Sequence, residues 1–173
     1  MSNQPIILSK ATAIKRILAF IYDLFLIIPL MMLATMIWLP FNNGIAIEPG
    51  NPLYPFMIAG AVILMPILFY SYFWYKGGQT LGMRSWKLRI VSSTGTPLTR
   101  SQSVMRAILL VLTLASIPLG LYTASILPSK PQAMIFSAVS ALAILGLSLT
   151  FTQKRTSYID LLTQTRIVQL PKT

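Results

Sequence analysis

Apolar and polar residues fall in long blocks along this chain instead of alternating. Four apolar runs cover about residues 17–39, 55–75, 104–127 and 133–152. Each is close to the ~20 residues a helix needs to cross a hydrocarbon core about 30 Å thick. Residues 40–54 separate the first two runs and are dense in proline, asparagine and glycine, the signature of a loop. The stretch Pro128–Pro131 reads as a tight turn between the last two. The blocks predict an all-α membrane protein, a four-transmembrane-helix bundle forming one domain over residues 1–173.

The segment between the second and third runs has a different pattern. Leu81, Met83 and Trp86 alternate with Arg84 and Lys87, which predicts a short interfacial segment with its apolar side toward lipid. Leu88–Val91 then reads as a strand, and the turn residues up to Gly95 follow it. The tail repeats Arg-Ile-Val at Thr165–Val168, so the two stretches are expected to pair in a small amphipathic/β element on the cytoplasmic face. A two-stranded ribbon is marginal in water and needs cover. Arg84, Trp86, Lys87 and Arg89 are the predicted contacts to lipid headgroups.

Composition sharpens this picture. Only 10% of residues are charged, against about a quarter in a soluble domain, and the mean hydropathy is +0.71. The net charge of +11 would suggest nucleic acid in a soluble protein, but the apolar runs redirect it to a bilayer with anionic lipids. Of the 14 Lys and Arg residues, only Lys130 falls on one side of the predicted bundle. The positive-inside rule therefore places both termini and the 76–103 segment in the cytoplasm. The first run is interrupted by Asp23, unlike the apolar core of a signal peptide, so it is expected to be retained as a helix.

The chain has neither cysteine nor histidine. Disulfides, thiolate or imidazole zinc sites, and Ser-His or Cys-His catalysis are excluded. Asp23, Glu48 and Asp160 are its only acids, too few for a carboxylate-rich metal site. No catalytic residue, metal or cofactor is expected, and the protein reads as non-enzymatic. Pro29, Pro66 and Pro118 lie near the middle of three runs, where neighbouring helices can satisfy the freed carbonyls. Ala133, Ser137 and Ala141 form a small-residue stripe suited to close helix packing.

Asp23 is the residue that needs explaining. A carboxylate deep in a membrane helix costs about 2.5–3.5 kcal/mol on insertion scales and normally faces a partner inside a bundle. Arg16 is seven residues away on nearly the same face, about 10 Å along the axis, and leans toward the N-terminus. It is therefore expected to pair with Asp160, just beyond the fourth run. Arg106, at the start of the third run, is the expected partner of Asp23, directly or through water.

These residues carry a resemblance. Arg16 with Asp23, Gly78-Gln-Thr-Leu-Gly82 followed by Arg84 and Leu88–Val91, Arg106, and Asp160 ahead of Thr165 and Val168 together resemble the RDD family of bacterial membrane proteins. The family is named for an arginine and two aspartates. It often has histidine before the second aspartate, where this chain has Ile159, so a proton relay through that histidine is absent here. The resemblance implies a multi-pass protein of the bacterial cytoplasmic (inner) membrane. Cation/proton antiport, proposed for some members, implies transport of a cation or small solute with Asp23 as the ion or proton site. The alternative is a non-enzymatic membrane module, with Arg16, Asp23, Arg106 and Asp160 as a structural ionic clasp. Its partner would be anionic lipid, a second copy of the chain, or another membrane protein.

Overall fold

The computed structural model describes residues 9–126 and 157–171, with helical positions 131, 135, 138, 140 and 141 between them. Strand β1 (Ser9–Lys10) leads into α1 (Ala13–Met36), 24 residues with Pro29 inside. Most of α1 buries little: Phe25 is 75% exposed and Met32 63%, while Ala19, Asp23 and Ile27 face inward. An apolar helix bare to this degree suits lipid contact better than water. A short 3₁₀ turn and the loop rich in turn residues follow.

The second apolar helix, α2 (Tyr54–Gly77), is equally long and apolar enough to cross a membrane. Its middle, Ala59–Leu64, widens into a π-helical turn, and the Met65 N–H reaches back to the Gly60 carbonyl. Pro66 follows at once; lacking an N–H, it cannot close an ordinary α turn at that point. The helix ends at Gly78, whose φ of +67° forms a left-handed cap. A side chain there would also run into the Ile90 carbonyl at 2.6 Å, and that carbonyl's own residue donates its N–H to Gly78. Glycine thus ties the membrane exit to the sheet.

Helix α3 (Leu81–Ser85) is a single capped turn, followed by β2 (Leu88–Ser92). Helix α4 (Arg100–Ile126) starts the third apolar run, and α5 (Tyr158–Leu162) and β3 (Thr165–Gln169) close the described chain. The fourth predicted run, residues 133–152, lies outside the described residues apart from Ile135, Ala138, Ser140 and Ala141, which are helical. The 128–131 turn, except Pro131, and Ala133 and Ser137 of the small-residue stripe lie outside them too. Ser140 donates a hydrogen bond to the Ser116 carbonyl of α4.

The expected pairing of Leu88–Val91 with Thr165–Val168 is present and antiparallel, with Arg89 opposite Val168 and Val91 opposite Arg166. The sheet has a third strand, β1, on the other edge of β3, giving the order β1-β3-β2. Its inner face buries Leu88 and Ile90, each 1% exposed, with Ile167 beside them, in one core with Met83, Trp74 and Ala107. That burial supplies the cover a bare ribbon lacks. Met83 corrects the interfacial reading: it is buried in the core rather than turned to lipid, whereas Leu81 stays exposed. The reason is local, since the α3 turn is pressed against α1 by its glycine.

Candidate functional site

Two buried carboxylates organise the described structure. Asp160 is the third residue of α5, where Ser157 forms a capping box: its hydroxyl accepts the Ile159 N–H, and its own N–H donates to Asp160 at 3.1 Å. The same Asp160 oxygen accepts from Arg16 Nη1 of α1 at 2.9 Å. Its other oxygen accepts from Arg106 Nη2 of α4 at 2.5 Å. Arg106 Nη1 turns to the hydroxyls of Thr163 and Thr165, so the cluster reaches into β3 as well. One carboxylate therefore joins α1, α4, α5 and the sheet. Burial pushes the Asp160 carboxyl up, but the guanidiniums of Arg106 and Arg16 and the Ser157 N–H outweigh it. The net effect holds the group below the usual carboxylate range.

Arg106 packs its charge on an aromatic face, with its guanidinium carbon 5.4 Å from the centre of the Trp74 ring. Trp74 in turn lies against Tyr70, ring centres 4.9 Å apart. Arg16 is 11% exposed at its side chain, so it is withdrawn into the protein instead of reaching the solvent interface.

Asp23, 2% exposed, is held by neutral donors. The Thr80 hydroxyl donates to one oxygen at 2.6 Å, and the Gly82 N–H to the other at 2.9 Å. Thr80 is also the N-cap of α3, accepting from the Met83 N–H at 3.2 Å. Gly82 permits the approach, because a Cβ there would collide with the Ala19 carbonyl of α1 and crowd the Tyr22 side chain.

The expected Arg16–Asp160 pair is present. The direct form of the expected Asp23–Arg106 pair is not: Asp160 and two threonines take the Nη atoms of Arg106, and α3 brings O–H and N–H donors to Asp23. Charge matching alone missed Thr80, Gly82, Thr163 and Thr165. Thr80 and Gly82 lie in the Gly78–Gly82 stretch that carries the family resemblance, and Thr165 ahead of Val168 belongs to it too. The four predicted headgroup residues stay near the surface: Arg84 and Arg89 are exposed, Lys87 and Trp86 half-buried, and Trp86 meets Tyr22 edge to face. Among the described residues no cluster of acids could hold a metal ion.

A cavity of about 320 Å³ opens between α1 and α4, with α2 behind it. Asp23, Arg16 and Arg106 all border it, among walls that are otherwise mostly apolar.

No curated protein and no solved structure gives a significant match to this chain. The family comparison does: the RDD family model matches residues 10–164, a span that includes all four Arg and Asp residues of the site and both long apolar helices. The chain is a mostly helical membrane protein belonging to the RDD family.

Proposed function

We propose that this protein is a non-enzymatic membrane module whose Arg16–Asp160–Arg106 cluster is a structural clasp, fastening the helices to the small sheet at the bilayer surface. The observation that carries this reading is the convergence of two guanidiniums from separate helices on one buried carboxylate. Both oxygens of Asp160 accept from guanidiniums, and both of Asp23 accept from the α3 turn, so each carboxylate joins separate elements of the fold. Four spans in the bacterial inner membrane, with both termini cytoplasmic, fit the one-sided basic residues. The exposed Arg84 and Arg89, with Trp86 and Lys87, suit anionic headgroups, and a second copy or another membrane protein would seat on the bare apolar helix faces.

Double-mutant cycles test the clasp. Arg16→Gln with Asp160→Asn, and Arg106→Gln with Asp160→Asn, should each couple on thermal unfolding well above the ~0.5 kcal/mol scatter of independent sites. Additivity in both cycles removes the clasp. Reporter fusions at Asn43 and Lys130 should read periplasmic, and those at Ser93 and Thr173 cytoplasmic.

A second reading, transport of a cation or small solute, has one observation in its favour: Asp23 borders the cavity. Proteoliposomes carrying a pH-sensitive dye and offered a panel of cations test it. Cation-driven proton flux that disappears in Asp23→Asn would replace the module reading, and the absence of flux in the unmodified protein would end the transport reading.

A further inference from the structure

The cavity holds more polar chemistry than its apolar walls suggest. The Tyr70 hydroxyl, the Trp74 indole N–H and the Arg106 Nε–H are buried and have no hydrogen-bond partner among the described residues. All three side chains border this one cavity, and their residues are 3%, 5% and 5% exposed. Unmade hydrogen bonds in such a place call for an explanation, because each leaves the desolvation of a polar group uncompensated. Two of the three atoms can only donate, so the missing partner is an acceptor. Charge narrows it further. Asp23 borders the cavity too, so Arg16 and Arg106 stand against two carboxylates, Asp160 and Asp23. The narrowing comes from the Arg106 Nε–H, a charged donor that bonds an anionic acceptor more strongly than a neutral one. The remaining wall, through Phe20, Leu110 and Leu114, is hydrocarbon, and it leads to Ile17, 45% exposed on the apolar face of α1. The volume is at the small end of the range for ligand sites, roughly 300–1,000 Å³.

We propose that this cavity binds a single-chain anionic amphiphile, its carboxylate or phosphate head on Tyr70, Trp74 and Arg106 and its chain along Phe20, Leu110 and Leu114. The site goes beyond the module reading, since the clasp holds whether the cavity is filled or empty. A plain hydrocarbon chain would leave the three donors unanswered, and a free inorganic anion would leave the apolar wall unanswered.

The experiment is native mass spectrometry of the full chain in nanodiscs of neutral phosphatidylcholine, titrated with decanoate, decyl phosphate and decanol. One equivalent of an anionic probe should bind about tenfold more tightly than decanol. Decanoate binding alone identifies a free fatty acid head, decyl phosphate alone a lipid phosphate, and both together the shared acidic chemistry. Tyr70→Phe, which removes one donor and keeps the ring, should weaken the anionic probe several-fold and leave decanol unchanged. Leu114→Phe, which fills the chain path, should abolish all three; if it does not fold, Tyr70→Phe decides. Equal binding of decanol and the anions overturns the proposal, as does occupancy that Tyr70→Phe and a folded Leu114→Phe leave unaltered. No saturable binding at all gives the three donors to water and overturns it too.

Discussion

Asp23 and Asp160 are equally buried, each 2% exposed, yet they are held by opposite means. Asp160 is met by charge, with Arg16 and Arg106 on its two oxygens. Asp23 is met by shape: a glycine lets a one-turn helix press onto α1 until a hydroxyl and a backbone N–H reach the carboxylate. The first arrangement is sensitive to neutralisation and forgiving of small displacements. The second is sensitive to a single methyl group. The same residue type thus makes one electrostatic joint and one steric joint in one small protein.

The largest effect should come from Asp160→Asn. It leaves two buried guanidiniums without their counter-charge, a loss on the order of 3–5 kcal/mol. Thermal unfolding followed by circular dichroism would show it, and a change below about 1 kcal/mol would mean the clasp behaves as a solvated surface pair. Acid should produce the same loss reversibly. The folded Asp160 is held below its unfolded value, so its contribution is complete above about pH 4 and fades as pH falls through the folded value. Between pH 7 and pH 5 this group predicts a flat melting temperature. The part of the decline below pH 4 that disappears in Asp160→Asn belongs to it.

Gly82→Ala comes next, at about 1–3 kcal/mol, because its methyl must displace the Ala19 carbonyl or lift α3 from α1. Gly77→Ala is the matched control, since a Cβ there meets nothing. Equal melting temperatures for the two variants would deny the steric joint. The smallest effect should be that of Asp23→Asn, about 0.5–1.5 kcal/mol. Asparagine keeps an acceptor for the Gly82 N–H and can donate its amide to Thr80. Were Asp23→Asn to cost as much as Asp160→Asn, the contrast between the two joints would collapse.

The same contrast explains what could be read from the sequence. Apolar blocks located α1 and α2 to within a few residues, because length and hydropathy are summed over twenty positions. The repeated Arg-Ile-Val placed β2 beside β3, and the N-terminal lean of helical side chains sent Arg16 to Asp160. Strand β1 was missed because Ser9–Lys10 has no periodicity to detect. The Asp23 partners were missed because opposite charge is visible in a sequence and neutral donors are not. Thr80 and Gly82 are more than fifty residues from Asp23, and only the fold-back of α3 makes them its neighbours. Met83 was assigned to lipid for the same reason.

The sheet has one more consequence, and it concerns parity. Strands cannot share hydrogen bonds across a bilayer, nor can an open sheet edge sit in hydrocarbon, so β1, β2 and β3 all lie on one side. Between any two of them the chain must therefore cross an even number of times. From β1 to β2 it runs through α1 and α2, which cross together or not at all. From β2 to β3, a crossing by α4 obliges an odd number of further crossings before Thr165. Odd numbers of crossings between strands are forbidden by the seven residue pairs of the two ladders, whatever the distribution of lysine and arginine.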